Sequence, residues 1–466
     1  MQLPTRQRGQ SVAMEMNDHS VSIIYKSLLA SILSVTIAGC SSGSSNPLAP
    51  IQATQAKNAG NFTNTVFLGD SLTAGYQSGS LLDTQQVHGW APLVATQASF
   101  NITLPLIAPP GAPNVLQLVS IGPPPVIVPT KGTTTGRDNF ATQPTDLAVP
   151  GAFLNDVLST VPLANPAAGQ QQINQLVLGF PGLGYGQDYS QAQFAIKAQP
   201  TTIFLWIGSN DALVADLTGS PAAMTSTANF TSQYTALMQQ LTTMTSAHLV
   251  IGNIPDVTLV PYLTPAGPLL AAYSAATHLP VSTLSALFGI TTGDYVTLES
   301  GMQQIAAILA GTQKTPISDA GVLTAAEAAT VKAQVVAYNQ VIAQQAQAAG
   351  ATLVDINALF TQVATSGLTI NGYTGTTAFL GGIFSLDGIH PTNTGYAAVA
   401  NKFIDTMNTA FGTKIADVNL APVAAADPLW PPNLPHQAIT TTGLSVPTIS
   451  GRSTNDVLLG KWAPQR

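Results

Sequence analysis

Apolar positions beyond residue 60 follow two patterns. In the first, apolar and β-branched residues run on without alternation: Thr65–Leu68 (TVFL), Thr202–Ile207 (TIFLWI), Leu249–Ile254 (LVIGNI), Thr352–Ile356 (TLVDI) and, more weakly, Phe100–Leu104. Unbroken runs of this kind predict strands covered on both faces. In the second, apolar residues recur at helical spacing. Tyr234, Leu237, Met238 and Leu241 lie within Phe230–Thr245. Val331, Val335, Tyr338 and Ile342 lie within the Ala/Gln-rich Leu323–Ala349, which Gly350 ends. Tyr396, Val399, Phe403 and Met407 lie within Thr394–Phe411. Strands alternating with helices predict a parallel α/β/α sandwich with right-handed crossovers.

Two stretches break the alternation. One is rich in Pro, Gly and Thr, near 105–150; the other, near 261–311, is apolar and partly helical. Both are expected to be insertions into a single domain spanning 61–415, as a lid or wall over a site or as plain surface packing. Residues 416–466 read as a Pro-containing tail without periodicity.

Composition narrows the possibilities. Of 466 residues, 45% are apolar and only 8% charged, with a formal net charge of −7. The chain can bury a large core but carries no basic patch, which argues against a nucleic-acid partner. The single cysteine, Cys40, excludes an internal disulfide framework and a Cys-rich metal site.

Cys40 has a telling context. Ser27–Gly39 is an uncharged, mostly apolar run after Lys26, shorter than the roughly 20 residues a spanning helix needs. A basic residue, a short apolar stretch and small residues before a cut site describe a signal peptide. The run ends Ile37-Ala38-Gly39-Cys40, which resembles the lipobox of bacterial lipoproteins. That resemblance implies that residues 1–40 are a signal segment ending at a lipidated Cys40 and that 41–60 form a flexible tether. It also implies an extracytoplasmic protein anchored to the cell envelope, the outer membrane being one place for it, with plain secretion as the alternative.

Candidate chemistry gathers at predicted strand ends. Gly69-Asp70-Ser71 ends the first run, where loops converge and the N–H groups of a following helix would face outward. A serine hydroxyl needs a base, a group to orient that base, and donors for an oxyanion. Gly208-Ser209-Asn210-Asp211 follows the Thr202 run, and Asp146–Ala152 gives a tight Pro150-Gly151 turn. Asp387 and His390 lie three residues apart just before a predicted helix, so one short loop can hold carboxylate and imidazole together.

Together these blocks resemble the SGNH (GDSL-type) hydrolase superfamily, in that family's order: GDSL at Gly69–Leu72, the glycine block at Gly151, G-x-N-D at Gly208–Asp211 and D-x-x-H at Asp387–His390. The resemblance implies a flavodoxin-like three-layer α/β/α sandwich with a five-stranded, mainly parallel sheet and two long insertions. It implies Ser71 as nucleophile, His390 as base and then acid, and Asp387 as the group holding the imidazole. The Ser71 and Gly151 backbone N–H groups and the Asn210 amide would form the oxyanion hole, without metal or cofactor. Asp146 stands where the family more often has Asn, and the separations Ser71–Gly151 and Asn210–Asp387 exceed those of smaller members. The expected activity is hydrolysis of small-molecule or lipid carboxylic esters. A carbohydrate deacetylase or acyltransferase on the same scaffold, or a non-catalytic lipoprotein binding acylated ligands, is the alternative. Oligomeric state is left open.

Overall fold

In the computed structural model the described residues are 60–121, 125–179 and 189–435, with the backbone of 448–449. Cys40, the expected signal segment and residues 41–59 of the expected tether lie outside them.

Four strands form one parallel sheet in chain order: β1 (Thr65–Gly69), β2 (Thr202–Trp206), β3 (His248–Gly252) and β4 (Thr352–Val354). Helices α1 (Trp90–Gln97), α2 (Gln191–Ala198), α3 (Ser209–Thr218), α4 (Thr227–Met244), α5 (Ala325–Ala348), α6 (Ile356–Ser366) and α7 (Asn393–Phe411) complete a three-layer α/β/α sandwich. Every residue of β1 and β2 is buried, which is why both read as unbroken apolar runs. Phe67 stacks on Phe204 at 4.7 Å, and Trp90 of α1 meets both edge-on and stacks on Phe403 of α7 at 3.9 Å. Phe230 of α4 and Tyr338 of α5 stack at 4.0 Å. Local chemistry sets the helix ends: Ser226 caps α4, Thr324 and Glu327 form a capping box on α5, and Thr392 caps α7.

The strand count differs from expectation. Phe100–Leu104 forms no strand. It lies one layer outside the β1 edge, where Thr103 O accepts from Thr145 N and Asp146 N at 3.0 and 3.1 Å. Thr145–Leu147 takes the edge position instead: Phe67 N donates to Thr145 O at 2.8 Å and Leu147 N to Phe67 O at 2.9 Å. Pro105, with no N–H to donate, stops the Phe100 run from extending as a ladder.

Residues 105–150 contain an antiparallel hairpin, Leu116–Ser120 with Val126–Pro129, in otherwise irregular chain. Residues 261–311 contain Leu263–Pro265 and Tyr295–Thr297, which pair with each other, and Tyr295–Thr297 pairs also with Val322–Leu323 beyond the expected boundary. Three helices accompany them and enclose a core of their own that includes Leu270, Tyr273, Phe288, Met302 and Ile305. The first part of the expected tail is packed: Leu420–Ala426 is helical, and Asp427 accepts from the N–H and hydroxyl of Thr394 at 2.8 and 2.7 Å. Among the described residues no helix is long and apolar enough to cross a membrane.

Candidate active site

Gly69 ends β1 because nothing larger fits: a Cβ there would meet Thr73 Oγ1 and the Trp206 carbonyl at 2.5 Å. Both its backbone groups are held by one side chain. Gly69 N donates to Gln191 Oε1 at 2.9 Å, and Gln191 Nε2 donates to Gly69 O at 3.0 Å. The chain then makes a hydrogen-bonded turn, with Thr73 N and Ala74 N donating to Asp70 O at 3.2 and 3.1 Å. Ser71 therefore sits in a turn and not at the start of a helix, as its position after the strand had predicted. Asp70 Oδ1 accepts from Leu72 N at 2.9 Å and stiffens that turn. Burial pushes the Asp70 carboxyl up to about 7.

The Asp387–His390 segment is a turn closed by its own carboxylate. Asp387 Oδ1 accepts from Ile389 N and His390 N, both at 2.9 Å, and Ser385 N donates to His390 O at 2.7 Å. Asp387 Oδ2 lies 2.9 Å from His390 Nδ1, and His390 Nε2 lies 2.8 Å from Ser71 Oγ. Burial alone would raise the Asp387 carboxyl; the imidazole charge and the N–H donors of His390 and Ile389 outweigh it and hold it below the ordinary value. An ionised Asp387 keeps the proton on Nδ1, which leaves Nε2 free to accept the serine hydroxyl. The Tyr76 ring packs 4.7 Å from the imidazole.

Asn210 lies in the first turn of α3, entered through Gly208 at φ +110. A Cβ on Gly208 would meet Ile254 Cδ1 at 2.9 Å and the Phe230 ring at 3.0 Å. The Asn210 amide donates to Ala152 O at 2.9 Å and retains a second N–H. Asp211 ties the same region together, accepting from Leu154 N at 2.9 Å and Thr225 Oγ1 at 2.6 Å. Gly151 has φ +78, a left-handed backbone that glycine adopts without strain.

Ser71, Asn210 and His390 line one cleft. Gly151 is not among its lining residues; its neighbour Ala152 joins it to the cleft through the Asn210 amide. Among the described residues no acceptor takes the backbone N–H of Ser71 or of Gly151. The described residues also contain no group of three or more His, Cys, Asp or Glu side chains placed to hold a metal ion.

Three contributors were not legible beforehand. Gln191 is one. The second is the turn Gln77–Ser80, with Ser78 at φ +48 and Gly79 at φ +72, whose tip reaches the Asp387 loop. Gly79 N donates to Asp387 Oδ2 at 2.7 Å and Ser78 N to Ser385 Oγ at 2.8 Å. The third is the two insertions, whose described residues do not line the cleft but brace its loops. Leu116 N donates to Ser78 O at 2.9 Å, and Tyr262 N donates to Gly388 O at 2.8 Å. The remaining described histidines stand apart. Thr352 Oγ1 pairs with His248, His278 ends a helix, and His88 lines a separate hollow with Asp427.

A family model described as GDSL-like Lipase/Acylhydrolase matches residues 65–403. Comparison with curated proteins by sequence gave no match. Among solved structures, the chain is similar to LAE5, an alpha/beta hydrolase enzyme from the metagenome of Lake Arreo, Spain. That likeness has 14% identity and a TM-score of 0.33, over 76% of this chain and 97% of that one. It is similar also to Axe2, an acetylxylan esterase from Geobacillus stearothermophilus, with 12% identity and a TM-score of 0.33 over 75% of this chain and 96% of that one. With the family match running from the first residue of β1 into α7, the chain belongs to the GDSL-like lipase/acylhydrolase family and is a hydrolase of ester bonds.

Proposed function

We propose that the protein cleaves carboxylic esters through an acyl-enzyme on Ser71. The observation that carries this reading is the 2.8 Å approach of Ser71 Oγ to His390 Nε2, with Nδ1 held by Asp387. His390 takes the hydroxyl proton as Oγ bonds to the ester carbonyl carbon. The carbonyl oxygen becomes an oxyanion, stabilised by the Ser71 and Gly151 N–H groups and the free N–H of Asn210. As the tetrahedral centre collapses, the C–O bond to the alcohol breaks and His390 returns the proton to the leaving oxygen. Water then gives a proton to His390 as its oxygen bonds to the acyl carbon; the bond from that carbon to Ser71 Oγ breaks, His390 returns the proton to Oγ, and the carboxylic acid leaves.

The sequence signal at Ile37–Cys40 supports a bacterial envelope protein anchored by lipid on Cys40, facing substrate outside the cytoplasm. Labelling with a fluorophosphonate tests the chemistry. The wild type is expected to react, and Ser71→Ala and His390→Ala to lose the signal. Labelling that survives Ser71→Ala would refute the assignment of the nucleophile.

A further inference from the structure

The cleft at Ser71 is small and one-sided in its chemistry. About 40 Å³ of it is open to the centre of a water molecule. The hollow beside His88 measures about 730 Å³ in the same way, so the space at Ser71 is narrow. Ser71, Asn210 and His390, all used by the proposed chemistry, line it together with Asp70, Ser209 and Asp256. Apolar side chains make the opposite wall, among them Leu213, Val257, Val260, Phe360 and Phe384. Sugar or glycerol hydroxyls pressed against that wall would lose their hydrogen bonds to water and gain none. An aliphatic chain loses nothing there, so the cleft suits the acyl side of an ester.

The wall is also fixed. Leu213 lies one helical turn beyond Asn210 on α3, on the same face, and is almost fully buried. The segment carrying Val257 and Val260 is pinned before it begins. Asn339 clamps Ile254 through both backbone groups at 2.8 and 2.7 Å, and Asn357 Oδ1 accepts from Asp256 N at 2.9 Å. Asn253 and Asp355 close the same network, with Asn253 Nδ2 donating to Asp355 Oδ1 at 2.8 Å. Phe360 projects from α6, which Asp355 caps, and packs 5.6 Å from Phe384. Swinging the wall outward to admit a long chain would break several part-buried hydrogen bonds at once.

We infer that this cleft is an acyl pocket for short aliphatic groups, with Leu213 and Phe360 setting its length limit. The inference rests on the Ser71 acyl-enzyme reading and adds the substrate class to it. No described residue of 105–150 or 261–311 lines the cleft, so its acyl wall comes from the sandwich itself.

The test is hydrolysis of p-nitrophenyl acetate, butanoate and octanoate below their micelle concentrations, alongside Ser71 labelling by methyl- and octyl-phosphonate probes. The kcat/KM for octanoate is expected to fall at least about tenfold below that for butanoate, as a rejected chain in a fixed pocket requires. Phosphonate labelling rates should fall in the same direction. Leu213→Ala is expected to narrow the gap severalfold, with Phe360→Leu as the second variant should the first not fold. Octanoate cleaved as well as butanoate by the wild type would overturn the inference and leave the nucleophile standing. So would folded variants that keep the wild-type ratio. Activity that persists in Ser71→Ala would instead remove the acyl-enzyme reading, and the pocket assignment with it.

Discussion

Gly79 and Asp387, far apart in the chain, are joined by a 2.7 Å hydrogen bond from the Gly79 N–H to the carboxylate oxygen that also faces His390 Nδ1. The segment that carries Ser71 thus also holds the carboxylate that orients the imidazole. Gly79 has φ +72, where a β-branched residue is strained. Gly79→Val is expected to cost about 1–3 kcal/mol of stability and to lower kcat with little change in KM, because Asp387 is displaced while the cleft is not. Steady-state kinetics on one ester decide; a variant that loses only substrate affinity would contradict this role.

Asn210 is expected to act on the transition state alone. Asn210→Ala should reduce kcat by roughly 10²–10³-fold and move KM little. Its other N–H supports Ala152 O at 2.9 Å, so thermal unfolding should be measured in parallel. A fold intact by that measure, together with undiminished kcat, would exclude Asn210 from the oxyanion hole.

Burial pushes the carboxyls of Asp70 and Asp211 up to about 7 and that of Asp146 up to about 8. The unfolded chain releases these protons near pH 4, so the folded state retains protons that the unfolded state lacks. Their contribution is complete below about pH 4 and is lost as pH rises towards 8. Asp146, standing where the family more often has Asn, is thereby a neutral hydrogen-bonding group at neutral pH. Asp146→Asn should flatten the fall of Tm between pH 5 and 8. Parallel curves for variant and wild type would show that Asp146 does not titrate as its burial implies.

The proposed lipid anchor is tested at Cys40. Cys40→Ser is expected to move the protein from the membrane fraction to the soluble one while leaving esterase activity in place. Retention of the variant in membranes would mean that something other than a cysteine-linked lipid holds it.

The sheet was readable because β1 and β2 are buried along their whole length, so each leaves an unbroken apolar signature. Phe100–Leu104 misled for a related reason. Phe100 is apolar because its ring packs on Phe62 and Phe67, at 5.3 and 6.2 Å, and not because its backbone joins a ladder. Ser71, Asn210, Asp387 and His390 were visible as motif residues, since their chemistry requires particular side chains. Gln191 and Gly79 were not. Gln191 matters for two bonds to a distant glycine, and Gly79 for a backbone N–H that any residue but proline possesses. Nothing in their local spelling records where the fold delivers those groups.

The braces at Ser78 and Gly388 bear on any attempt to shorten this enzyme. Each extra stretch of chain grips the back of a loop whose front meets the imidazole or its carboxylate. Excising either to match the length of more compact family members would leave one hinge of the reaction centre unsupported. A minimal version would therefore have to supply new anchorage for both loops before it discarded the old.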